Sequence, residues 1–180
     1  QEIELNEAEI KELKRLEAKK NAEQKKVLDS KDNLFGAVLA DQDLGGLDLS
    51  NAKMAKANLN NTNFSGANLS NANFIEADLT EANLSKADLH DAYFADAQLV
   101  AADFSEADLR WADFSWAELS EARFNEANLM EADFTEANLD LAVRWGEGPG
   151  EHEGEALESD GMVTIERPGG GAGPNRGKRK

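Results

Sequence analysis

A period of five constrains this chain more than any other feature. Counted in fives from Leu34 to Leu139, 22 successive positions hold only Leu, Phe or Met: 14 Leu, 7 Phe and Met54. Two residues before each, Ala fills 18 of the 21 sites from Ala37 to Ala137, the exceptions being Gln42, Leu47 and Thr62. The residue between is mostly Asn or Asp, as at Asn68, Asp78, Asp88, Asp108 and Asn128. Neither a helix, at roughly 3.6 residues per turn, nor a strand, which alternates faces at every residue, keeps positions five apart on one face. The period demands a backbone that turns a corner every five residues, with one large and one small apolar side chain inside and the rest toward water.

This motif, Ala-(Asp/Asn)-(Leu/Phe)-X-X, carried almost without interruption over residues 32–143, resembles the pentapeptide-repeat family. The resemblance implies an all-β repeat solenoid in which four pentapeptides close one turn of a right-handed quadrilateral parallel β-helix. At one strand spacing per coil, ~4.8 Å, 22 repeats then make about five and a half coils and a rod roughly 26 Å long. The residues support four walls independently. Seven of the eight Phe share one ten-residue phase (Phe64, Phe74, Phe94, Phe104, Phe114, Phe124, Phe134), while the other phase, Leu39 to Leu139, is Leu throughout. With four walls, ten residues is half a turn, so Phe stacks on two opposite walls and Leu on the other two. Alanine beside them avoids over-packing a narrow interior. Asn and Asp, with hydroxyls such as Ser70, Thr80, Ser105 and Thr135, are expected to bond the turn backbone at the corners.

The repeat is flanked by two segments of different composition. Residues 1–31 read as an amphipathic helix, with Ile3, Leu5, Ile10, Leu13, Leu16, Val27 and Leu28 on one half of the wheel. Glu7/Lys11, Glu12/Arg15, Glu17/Lys20 and Glu23/Lys26 are its expected surface pairs. A parallel stack has open ends, and this helix is the natural plug for the first coil. A continuous helix over residues 2–28 would be about 40 Å long, more than one coil face needs, so part of it projects unless it breaks near Asn21. Residues 32–145 form the repeat domain, with Leu141, Val143 and Trp145 placed to cover its last coil. Residues 146–180 read as a Gly- and Glu-rich disordered tail, relieved by a short hairpin candidate from Glu158 to Ile165.

Charge narrows the function classes. Of 36 acidic and 19 basic residues, 20 and 5 lie in residues 34–143, so −15 of the net −17 belongs to the repeat. That sign argues against direct nucleic-acid binding and against an anionic membrane surface, and no run approaches the ~18 apolar residues of a membrane span. The absence of cysteine from the sequence excludes disulfides, thiolate metal sites and a cysteine nucleophile. His90 and His152 are the only histidines, too few for a multi-histidine zinc site, and His90 sits at an outward repeat position. Asp41 to Gly46 imitates the start of a calcium loop, but Ala52 stands where the loop needs Glu. The glycosylation triplets at Asn60, Asn63, Asn68 and Asn83 are products of the repeat. No residue set qualifies as catalytic, and no cofactor or metal is expected.

Two surface features remain. Taking every twentieth residue as one wall, one wall carries Asp41, Asp78, Glu81, Glu118, Glu121 and Asp140 and no base. A second set places large apolar residues where the repeat normally has polar ones: Ile75, Tyr93 and Trp116 on one wall in three successive coils, with Trp111 at the adjoining corner. Trp and Tyr anchor protein interfaces. The reading is a non-enzymatic protein-protein interaction or scaffold module that presents a rigid anionic rod to another protein or a multi-subunit complex. The alternative is enzyme inhibition by DNA mimicry at a type II topoisomerase: −15 over ~26 Å is about one charge per ~1.7 Å, the linear density of duplex DNA. The resemblance implies it too, since some family members protect gyrase from quinolones by imitating DNA. The chain shows neither the loop insertions nor the hydrophobic C-terminal helix of that subgroup. The resemblance also points to cyanobacteria, chloroplasts and the thylakoid lumen, and the start at Gln1 rather than Met is compatible with import and cleavage.

Overall fold

The computed structural model describes residues 6–142. Helix α1, Glu7–Asp29, opens on a capping box: the Asn6 side chain accepts the N–H groups of Ala8 and Glu9 at 3.0 Å, and the Glu9 carboxylate accepts the Asn6 N–H at 2.8 Å. The box satisfies donors that the first turn would otherwise leave orphaned. The helix is continuous through Asn21, and after a single 3-10 turn, Lys31–Asn33, the chain enters the coil.

Parallel bridges join residues twenty apart, from Val38 with Asn58 to Glu118 with Asn138. Twenty residues are four pentapeptides, so the coil has four walls. Interior walls bond to the coil on either side: the Asn58 N–H donates back to the Ala37 carbonyl at 2.8 Å and the Leu59 N–H forward to the Asp78 carbonyl at 2.7 Å. The expected β-walls exist as single-residue bridges rather than extended strands among the described residues, because a corner every five residues leaves only a three-residue stretch per wall.

Every corner is built alike. At each fifth residue from Gly36 to Leu141 the backbone adopts positive φ, between 55° and 69°. The following Ala then donates its N–H back across the turn, as Ala57 does to the Met54 carbonyl at 3.1 Å. These are four-residue turns with a left-handed third residue. The wall-centre Asn or Asp braces them by accepting the N–H two residues on: Asn63 from Ser65, Asn73 from Ile75 and Asp113 from Ser115, at 2.9–3.0 Å. The hydroxyls depart from expectation. Ser70, Thr80, Ser105 and Thr135 donate to the side-chain oxygen of that same Asn or Asp, not to backbone, because the oxygen already sits over the turn.

Inside, Phe occupies two opposite walls. Phe74, Phe94 and Phe114 stack with ring centroids 4.9 and 4.8 Å apart and planes within 2°, matching the coil spacing. Phe104 and Phe124 form the facing ladder at 5.0 Å, and the two ladders meet edge to face at 5.5–6.1 Å. Both arrangements suit the ring quadrupole. Thr62, buried in an alanine slot, donates its hydroxyl to the Leu39 carbonyl at 2.9 Å, so the substitution leaves no orphaned polar group.

The first coil is capped by the C-terminal part of α1. Val27 is buried, Leu28 packs partly against the core, the Gln24 amide donates to the Asp43 carbonyl at 2.9 Å and Lys20 Nζ lies 2.5 Å from the Asp43 carboxylate. Residues 7–19 extend beyond these contacts for about 20 Å, leaving Ile10, Leu13 and Leu16 exposed. The helix therefore both caps and projects. Of its expected pairs, Glu12 and Arg15 meet at 3.4 Å, whereas Lys20 reaches Asp43 on the coil. Leu141, 91% exposed at a corner, does not cover the last coil. Ile3, Leu5, Val143, Trp145 and the hairpin candidate lie outside the described residues.

Candidate functional site

The twenty-residue register fixes which outward residues share a wall. The wall whose centre runs Asn73, Tyr93, Asp113 brings three of the four predicted aromatic and apolar residues together. Tyr93 stands at its centre, 46% exposed. One coil further, Trp111 and Trp116 occupy the two corners that flank Asp113, 49% and 62% exposed. The pleat explains the placement: Ala112 and Phe114 point inward and are fully buried, so Asp113 and the corner residues on either side face out. Ile75 lies on the same edge as Trp116, two coils earlier, and is half-buried rather than exposed. Its carbonyl accepts the Lys56 N–H at 2.9 Å, which keeps the edge in register.

That edge carries a residue sequence reasoning passed over. Phe35, 64% exposed, heads the column Phe35, Ala55, Ile75, Ala95, an apolar line that ends beside Trp116. Val38, on the adjoining wall of the same first coil, is exposed too. The signal was available: Val38 stands where other repeats mostly have Asn or Asp, and Phe35 where they mostly have small or polar residues. The exposed stripe Ile10, Leu13, Leu16 of α1 is separate, because Lys20 and Gln24 set the projecting half out over the wall of Asp43, opposite that of Tyr93.

The predicted acidic wall adjoins the aromatic one along the edge of Ile75 and Trp116. Asp78 and Glu118 lie at its centre, Asp41, Glu81 and Glu121 at left-handed corners and Asp140 beside one. Several of these carboxylates also brace the coil. Asp41 accepts the Asn61 amide at 2.8 Å, and Asp78 accepts the N–H of Thr80 at 3.1 Å. Glu118 accepts the Ser120 N–H at 3.0 Å and the Asn138 amide at 2.9 Å. Burial pushes the Glu118 carboxyl upward, but the hydrogen bonds from Ser120 and Asn138 outweigh it and hold its pKa below the ordinary value.

Beside the aromatic wall, Arg110 forks onto Asp108, with Nε at 2.8 Å and Nη2 at 2.6 Å from the carboxylate oxygens, while its guanidinium lies 5.4 Å from the centroid of the Trp111 ring. The guanidinium hydrogen bond holds the Asp108 carboxyl below its usual range. His90 Nδ1 lies 2.6 Å from Asp88, one coil away. Among the described residues no group of three His, Cys, Asp or Glu is placed to hold a metal ion, and no helix is long and apolar enough to cross a membrane.

A four-walled coil of five-residue repeats with a helical cap defines a repeat solenoid. The chain belongs to the pentapeptide-repeat family: the family model described as pentapeptide repeats (8 copies) matches residues 33–71, and the pentapeptide repeat region model matches residues 67–143. No curated protein matches the chain. Among solved structures it is similar to HetL, a pentapeptide repeat protein involved in heterocyst differentiation regulation from the cyanobacterium Nostoc, at 28% identity and a TM-score of 0.52 over 58% of each chain. It is also similar to the pentapeptide repeat protein Rfr23 of the cyanobacterium Cyanothece, at 32% identity and a TM-score of 0.47, over 48% of this chain and 58% of that one. A pentapeptide repeat protein of the Arabidopsis thaliana thylakoid lumen is 29% identical with a TM-score of 0.45, over 60% and 65%. The chain covers less than two thirds of each of these proteins.

Proposed function

We propose that this chain is a non-enzymatic interaction module, its coil wound in the right-handed sense the family resemblance implies, which docks a protein partner on the wall of Tyr93, Trp111 and Trp116. The observation that carries this reading is the convergence of three half-exposed aromatic rings on one wall of two adjacent coils, on a rod whose other outward positions are mostly charged or small. Rings held on so rigid a backbone bring contact area at little entropic cost. Ile75 extends the patch along the edge, and the adjoining wall of Asp41, Asp78, Glu81, Glu118, Glu121 and Asp140 orients the approach and raises the association rate. The likeness to HetL supports a regulatory role and a cyanobacterial setting. Affinity purification with mass spectrometry supplies the partner. Trp111→Ala with Trp116→Ala is then expected to abolish its capture while leaving the circular dichroism spectrum unchanged, and undiminished capture would remove the aromatic wall from consideration.

The charge density of the repeat favours a second reading, protection or inhibition of a type II topoisomerase by DNA mimicry. A supercoiling assay separates the two, since only a DNA mimic alters turnover at micromolar concentration.

A further inference from the structure

We propose that the partner segment seated on the aromatic wall is rich in arginine, an inference that rests on the docking reading above. Each ring of the patch has a carboxylate one coil away in its own column: Asp91 above Trp111, Asp96 above Trp116 and Asp113 below Tyr93. At one coil per ~4.8 Å, each ring and its column carboxylate are near enough for a single guanidinium to stack on the one and fork onto the other. None of Asp91, Asp96 and Asp113 forms an ion pair among the described residues. Arg110 lies close enough to Asp91 to interact with its charge, but no base pairs with Asp96 or Asp113 among the described residues, and the wall's own bases, Lys53 and Lys56, lie two coils away toward α1.

The molecule already displays the chemistry. Arg110 lies over Trp111 while its fork is held by Asp108 on the adjoining wall, so one ring at the edge of this wall already carries a guanidinium in cis. Tyr93 and Trp116 offer the same arrangement with no cation over them among the described residues. Three features thus select a planar cation over a compact one: flat rings, carboxylates beside them, and a local excess of negative charge. Lysine satisfies the charge and not the fork or the stacking. An extended segment projects alternate side chains to one side about 6.6 Å apart, a spacing that lets successive arginines reach across a wall of roughly 10 Å.

The test is isothermal titration of the full chain with a ten-residue peptide bearing arginine at alternate positions, and with its lysine counterpart, at physiological salt. The arginine peptide is expected to bind about tenfold more tightly. Trp111→Asn with Trp116→Asn should erase that difference. Asn suits the left-handed corners, so this variant keeps the coil folded, and its melting curve verifies that. Glu81→Gln with Glu121→Gln, which removes two negative charges from the neighbouring wall and no ring, should weaken both peptides alike and preserve their ratio. Equal affinity of the two peptides, or a preference that survives loss of both Trp residues, overturns the inference in favour of unspecific charge attraction. Loss of partner capture by the Trp variants without any arginine preference also overturns it, and leaves the docking reading standing.

Discussion

The left-handed corner is where single residues decide most. All 22 corners have positive φ and only Gly36, Gly46 and Gly66 are glycine, so 19 side chains sit in a conformation that L-residues otherwise avoid. Such a residue costs on the order of 1 kcal/mol, least for Asn and Asp, and the stacked coils over-determine the geometry that holds it there. Trp111 and Trp116 occupy corners where neither conformation nor core packing asks for an indole, which is the physical case for assigning them a contact role. Core positions obey a different rule. Phe104 stacks on Phe124 and meets Phe94 and Phe114 edge to face, so Phe104→Ala empties a site bounded on three sides by rings. The expected cost is about 3–5 kcal/mol, read from chemical denaturation. Phe104→Leu should cost about half as much or less, because Leu84 already fills the same column one coil earlier and is fully buried there.

At the scale of elements, helix α1 and the coil are joined at one edge by Asp43, which accepts Gly45 N–H at 3.1 Å and the Asn63 amide at 2.9 Å besides facing Lys20. The Lys20 hydrogen bond, followed by that from Gly45, lowers the Asp43 pKa below 3.8. A depressed carboxylate contributes stability that is complete above its unfolded value and disappears as pH falls through its folded one. Acidification through and below 3.8 should therefore loosen the docked end of α1, seen as faster amide exchange at Val27 and Leu28 after correction for intrinsic rates. Because both partners are partly exposed the effect is under about 1 kcal/mol, and Asp43→Asn should remove its pH dependence. The helix was legible from its apolar spacing, and the coil from the period. Whether α1 capped or projected was not, because that depends on where along the helix the coil's far edge falls, and Lys20 and Gln24 mark that edge only once the first coil is built. The wall shared by Tyr93, Trp111 and Trp116 could be read by counting in twenties. The half-burial of Ile75 could not, since a residue's exposure depends on how its neighbours fold around it rather than on its place in the period.

For the whole molecule, the register of twenty is both the folding rule and the address of the proposed docking wall. A solenoid of near-identical units is stabilised by nearest-neighbour stacking, so removing an entire turn costs one interface and leaves the others intact. Deleting residues 57–76 should give a shorter rod that still unfolds cooperatively, because Met54 then stacks directly on Phe94 in the same column and every later residue keeps its wall. Tyr93, Trp111 and Trp116 remain grouped, so partner binding should survive although Ile75 is lost. Deleting residues 97–101, a quarter of that length, should do the opposite. Every later residue rotates by one wall, Phe104 falls beneath Leu79 instead of Leu84, and the ring ladders break at the junction. Each coil still holds two Phe and two Leu columns, so the chain should fold with a lower melting temperature, but Trp111 moves off the wall of Tyr93 and Trp116 shifts to the corner Trp111 held, leaving the patch one ring short. Weakened binding in the five-residue deletion and undiminished binding in the twenty-residue deletion would show that recognition belongs to the composite wall. Equal binding by both would place it on one coil or on α1.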